Sequence, residues 1–246
     1  MPVLSENESI TEINEDLRLI QHREGLTFGT DAYLLAAFMR EKKNAVAIDM
    51  GAGTGIISLL CATRDKFKKI FCVEVQQSFA DIIGRNAELN GLSHKIEVLC
   101  RDVRDLTHRD TQGEVDVVFS NPPYMKTDSG KRNEADEKYI ARHEVCGTID
   151  DFCRSAAKML RHGGLFYCVY RPDRLVDLIA ALRGAHLEPK RMTFVCARAD
   201  SEPSMVLVES KLGGAPGVRV TEPLILTAPD GSQSERAKRI YENCNF

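Results

Sequence analysis

Short apolar runs rich in β-branched and aromatic residues recur along the chain: AVAID (45–49), KIFCVE (69–74), KIEVLC (95–100), VDVVF (115–119) and GLFYCVY (164–170). Between and after them lie segments whose apolar residues recur at three- and four-residue intervals: IISLLCATR (56–64), QSFADIIGRNAELNG (77–91), DDFCRSAAKML (150–160) and PDRLVDLIAALRG (172–184). The first pattern predicts strands buried on both faces, the second helices that cover them. Such an alternation forces parallel crossovers, so the expected fold class is α/β, a doubly wound and mostly parallel sheet. After the last of these helices, MTFVCA (192–197) and SMVLVES (204–210) flank ARADSEP with no room for a helix, which predicts a closing antiparallel hairpin. Upstream, YLLAAFM predicts a helix whose start is capped by Thr30 or Asp31. No repeat or long linker interrupts the pattern, so it divides into an N-terminal segment, 1–44, and a core, 45–246.

Open α/β sheets take their ligands at the carboxyl ends of the strands, which makes the residues there the candidates. The first core strand runs into IDMGAGTGI, with Asp49, Gly51, Gly53 and Gly55 on a strand-to-helix turn where missing Cβ atoms admit a ligand to the backbone. The spacing is G-x-G-x-G. A nicotinamide fingerprint would need glycine where Ile56 stands, and no G-K-[ST] end makes a phosphate loop. Glu74 closes the second strand, placed to accept from both ribose hydroxyls of an adenosine ligand. Asp102 follows the third and can accept from the adenine amino group, while Val103 offers its backbone and an apolar edge. Each carboxylate alone also reads as a solvated strand end or a cap; three successive strand ends with this chemistry point to the ligand. Asp49 either orders the glycine loop through backbone N–H groups or contacts an amine of the ligand.

The fourth strand leads into Asn121-Pro122-Pro123-Tyr124. The prolines fix φ and remove two donors, so the turn is rigid. The Asn121 amide oxygen and a proline carbonyl can both accept from one substrate NH2 group, aiming the nitrogen lone pair at an electrophile. Tyr124 supplies a face on which a planar group stacks.

Composition narrows the context. With 246 residues, 43% hydrophobic and 28% charged, the chain suits one α/β core with small additions. Its polar, acidic N-terminus lacks a basic region followed by an apolar core, and no run approaches the length of a membrane span, so a cytoplasmic protein is expected. Eight cysteines lie scattered with no C-x-x-C pair, the usage of reduced, buried thiols rather than of a metal site. The net charge of −3 gives no global basic field, although a local patch could still meet phosphates.

The residues D-M-G-A-G-T-G, Glu74, Asp102 and N-P-P-Y resemble the class I, Rossmann-like S-adenosylmethionine-dependent methyltransferases of amino nitrogens. Among these the chain is similar, nearly end to end, to the bacterial tRNA (adenine-N6)-methyltransferases that modify valine tRNA beside its anticodon. LTFGTDAYLLAAFM (26–39), ARHE (141–144), YRPDRL (170–175), EPKRMTFV (188–195) and EPLIL (222–226) carry the resemblance further. It implies S-adenosylmethionine as cofactor, tRNA as partner, the target adenine held by Asn121 to Tyr124, and a cofactor cover from Phe28 to Asp31 that includes Thr30. The 1–44 segment would then serve cofactor and substrate. Residues 125–144 would face the RNA, with Lys126, Arg142 and His143 the best contacts, although the balance of charge there equally suits a solvated loop. A protein glutamine N5-methyltransferase grips an amide by the same chemistry, but such enzymes carry an extra N-terminal helical domain for which about 44 residues leave little room. Guanine N2-methyltransferases of rRNA are duplicated and have Phe after the prolines. A non-catalytic adenosine- or RNA-binding module on the same scaffold is the third alternative.

Overall fold

The computed structural model describes residues 4–23, 29–122, 147–244 and 246. Its centre is a nine-stranded sheet built on β3 (Lys42–Met50), β4 (Phe67–Glu74), β5 (Ile96–Cys100), β6 (Val115–Ser120) and β7 (Leu160–Tyr170), in the order β7-β6-β3-β4-β5 and all parallel. These are the five apolar runs expected, and their inner residues, such as Ile48, Val73, Val118 and Phe166, are buried to 2% exposure or less. Beyond β7 the hairpin β8 (Leu187–Cys196) and β9 (Pro203–Leu212) is antiparallel, as expected, with β9 inserted between β7 and β8. Two short strands of the tail, β10 (Arg219–Val220) and β11 (Leu224–Ile225), add in parallel to the outer edge of β8.

The helices cover both faces. On one side lie α1 (Thr30–Phe38), α2 (Ile56–Thr63) and α3 (Gln77–Leu89); on the other α4 (Ile149–Met159) and α5 (Leu175–Gly184). The tail ends in α6 (Glu235–Asn243), packed on α1 through the edge-to-face pair Tyr33–Tyr241. No helix among the described residues is long and apolar enough to cross a membrane.

Two features depart from the sequence expectation. The cap position of α1 is taken by Gly29, with no side-chain hydrogen bond, rather than by Thr30 or Asp31; Asp31 lies in the first turn, where one carboxylate oxygen accepts from Ala32 N and the other is left for a partner outside the helix. The far end of α1 is held instead by Lys66, whose buried ammonium donates to the carbonyls of Ala36 (2.8 Å) and Met39 (3.0 Å). A cation on the last carbonyls satisfies orphan acceptors and meets the negative pole of the helix.

The second departure is the hairpin of β1 (Glu8–Asn14) and β2 (Leu17–His22) within the segment before the core. It docks on α3, where Asn86 and Asn90, one turn apart, use their side-chain amides as a substitute strand. Asn86 accepts from Ile20 N (2.6 Å) and donates to Ile20 O (3.1 Å); Asn90 does the same with Arg18, at 2.9 and 2.8 Å. Arg85 adds a two-pronged ion pair to Glu8, at 2.7 and 2.8 Å. These hydrogen bonds hold the Glu8 carboxyl down at about 2, below its ordinary 4.5. Because the folded value is lowered, the stabilisation is present above about pH 4.5 and is lost as the pH falls towards 2. Glu8→Gln should therefore lower stability by roughly 1–3 kcal/mol at neutral pH, measured by urea unfolding. The gap between variant and wild type should close near pH 2.

Candidate active site

The strand order creates the site. From β3 the chain winds outward through β4 and β5, then returns to the other flank of β3 as β6, so the carboxyl ends of β3 and β6 border the point where the winding reverses. Loops diverge there and leave a crevice for a ligand. The glycine loop leaves one side of this point and Asn121 the other.

The loop is shaped by three residues in the left-handed region, Gly51, Gly53 and Gly55, with φ of +72°, +56° and +81°. At Gly55 a Cβ would also lie 3.1 Å from Ile83 Cγ2, so the helix packing itself calls for glycine. At Gly53 a Cβ would meet no protein atom within 4 Å, which places that backbone against open space. Gly53 N donates to Glu74 Oε2 (3.0 Å), and Gln76 N donates to Glu74 Oε1 (3.0 Å). Glu74 is 5% exposed and fastens the loop to the end of β4 while retaining lone pairs on both oxygens. The loop is also tied to the N-terminal hairpin, because Asn86 donates to Thr54 O at 3.0 Å.

Asp49 sits beneath this loop and is 1% exposed. Its Oδ2 accepts from Ser58 Oγ (2.7 Å), whereas its Oδ1 is buried with no partner among the described residues. It does not hold the loop through backbone N–H groups in any hydrogen bond of the described residues; Glu74 does. Burial, with the negative Glu74 nearby, pushes the Asp49 carboxyl up to about 7. A buried acceptor with an empty position is a place for a cationic ligand group.

At the end of β5, Asp102 caps a short 3-10 turn, Val103–Asp105, and accepts from Arg104 N (2.8 Å) and from the Arg104 guanidinium on both oxygens. These contacts hold the Asp102 carboxyl below its ordinary range. Val103 is buried, its carbonyl accepting from Ser155 Oγ of α4. At the end of β6, Ser120 donates to Met50 O across to β3, and Asn121 follows. Asn121 Nδ2 donates to Asp31 Oδ2 at 2.6 Å, so Thr30 and Asp31 at the start of α1 border the same crevice. Pro122 is buried; Pro123, Tyr124, Lys126, Arg142 and His143 lie outside the described residues. No cluster of three metal-ligating side chains occurs among the described residues.

A family model described as the methyltransferase small domain matches residues 23–177. The chain belongs to that family.

A relative from Phocaeicola vulgatus, named tRNA1(Val) (adenine(37)-N6)-methyltransferase, is 31% identical over 77% of this chain and 78% of its own. One of the same name from Photorhabdus laumondii is 34% identical over 61% and 60%. Among solved structures, one described as a predicted O-methyltransferase from Agrobacterium tumefaciens superposes with a TM-score of 0.70 at 23% identity, covering 87% of this chain and 97% of its own. A tRNA m1G37 methyltransferase of M. jannaschii gives 0.55 at 18% identity over 85% and 58%. These two likenesses establish the fold of this methyltransferase.

One side chain of the site escaped the sequence: Asn86 acts through a partner 32 residues away, with no local spacing to signal it. Asp31 was expected in the cofactor cover or as a helix cap, but its bond to Asn121, 90 residues away, was not.

Proposed function

We propose that this methyltransferase transfers a methyl group from S-adenosylmethionine to N6 of an adenine in tRNA, the adenine 37 beside the anticodon of a valine tRNA that its relatives' name specifies. The observation that carries the reading is Asn121 at the end of β6, facing the glycine loop across the reversal point. When bound, the cofactor supplies an activated methyl on a cationic sulfur, so no strong base is needed before transfer.

The described residues fit it. The unpartnered Asp49 Oδ1 suits the amino acid ammonium, the Gly53 backbone its close approach, Glu74 the ribose hydroxyls, and Asp102 with Val103 the adenine edge. Asp102 can accept a further hydrogen bond beside those from Arg104. Thr30 would line the cover. Asn121 Oδ1 would accept from the substrate amino group and hold its lone pair on line, with Pro122 and Pro123 stiffening the turn, Tyr124 stacking on the base, and Lys126, Arg142 and His143 contacting the RNA. The setting is the cytoplasm, where tRNA is processed.

Asp49 gives this reading a pH signature. Below about pH 7 the carboxyl is neutral and attracts no ammonium, so cofactor affinity should rise between pH 6 and pH 8. Without ligand the sign reverses: a raised folded value means stability that is complete below about pH 4 and lost as the pH climbs through 7. Calorimetry should find Asp49→Asn weaker-binding at pH 8 and flat across this range.

The function itself is tested with an unmodified valine tRNA transcript and labelled cofactor. Label should enter the wild-type transcript and not one carrying guanine in place of adenine 37; equal labelling of both would refute the proposed target.

A further inference from the structure

The amide of Asn121 can carry out its role only in one of two orientations, because oxygen and NH2 are related by a half-turn of the side chain. With oxygen outward it accepts from a substrate amino group; with NH2 outward it repels one. Asn121 Nδ2 lies 2.6 Å from Asp31 Oδ2. An ionised carboxyl accepts hydrogen bonds and cannot donate them, so the end of the amide that faces Asp31 is its NH2 and the opposite end is its oxygen. We propose that Asp31 is the positioning residue that sets the amide of Asn121, turning its oxygen towards the substrate nitrogen. This rests on the proposed function of Asn121.

Asp31 is itself held. Its Oδ1 accepts from Ala32 N at 2.9 Å, within the first turn of α1. The other end of the helix is pinned by Lys66 on the Ala36 and Met39 carbonyls and by Arg191, which donates to Phe38 O (2.6 Å) and lies 3.8 Å from the centre of the Phe38 ring. A rigid helix thus delivers one carboxylate to the end of a strand 90 residues further along the chain. Gly29 leaves room for this arrangement: a Cβ there would come within 2.8 Å of Asp31 Oδ1 and push the carboxylate from its place. The contact runs between α1 and β6 and belongs to the substrate half of the crevice rather than to the glycine loop.

The test combines kinetics with an activity-independent probe. In saturating tRNA and cofactor, Asp31→Ala should lower kcat by about 100-fold, the scale of a misplaced positioning group, with the KM for tRNA and the Kd for cofactor within a few fold of wild type. Asp31→Asn keeps an oxygen that can accept from Asn121 and should return kcat to within about tenfold of wild type. Gly29→Ala should reproduce the kcat loss by displacing the carboxylate. In 15N–1H spectra, the side-chain NH2 pair assigned to Asn121 by its disappearance in Asn121→Ala should move in Asp31→Ala while the melting temperature stays near wild type. Wild-type kcat in Asp31→Ala, a loss confined to cofactor Kd, or an unmoved NH2 pair would overturn the proposal. A wild-type protein that methylates no RNA would instead refute the function, and the NH2 pair would then decide the role of Asp31 alone.

Discussion

Asn121→Ala should slow methyl transfer by about 10²–10³-fold, the cost of removing one preorganised polar contact to a reacting group, while cofactor affinity stays within a few fold. The separation follows from where the elements end. Asn121 leaves β6 and bonds to Asp31 of α1, whereas the residues assigned to the cofactor leave β3, β4 and β5, with Glu74 tying the loop after β3 to the end of β4. No hydrogen bond among the described residues joins Asn121 to the glycine loop, so its truncation leaves that loop in place. Single-turnover transfer and calorimetry read the two quantities separately. Loss of cofactor binding in this variant would move Asn121 out of its assigned role.

Glu74→Ala should do the converse and weaken cofactor binding by about 100-fold, the equivalent of roughly 3 kcal/mol and the upper range for hydrogen bonds to a charged group. Two effects combine. The ribose loses its acceptor, and Gly53 N and Gln76 N lose theirs, so a loop already held in left-handed conformations loses its tie to β4. At saturating cofactor kcat should recover towards wild type, because the substrate half of the crevice does not depend on Glu74. An unchanged dissociation constant would remove Glu74 from the site.

The core was legible because a strand buried on both faces has no freedom to be polar: IFCVE and LFYCVY are apolar at nearly every position, and the sheet buries them. The glycine loop was legible for a related reason, since three left-handed residues in five positions demand glycine whatever the tertiary context. The β1–β2 hairpin was not, because ESITEIN is half exposed and its alternation is broken; what fixes the hairpin is the amides of Asn86 and Asn90 on a helix some 70 residues away. β10 and β11 have two residues each, too few for any periodicity. Asp102 was read as a strand-end acceptor, and the sequence did not disclose that Arg104, two residues on, already pairs with both of its oxygens. Asp31 opens a helix and falls in the expected cofactor cover, and neither reading points to Asn121; only the fold brings the two together.

The most direct test of the account supplies labelled S-adenosylmethionine to the protein with unmodified tRNA and, in parallel, with a cell protein extract, and identifies the labelled product by mass spectrometry. Label is expected in tRNA, recovered as N6-methyladenosine, and not in protein. Label in glutamine of a protein, with none in RNA, would contradict it.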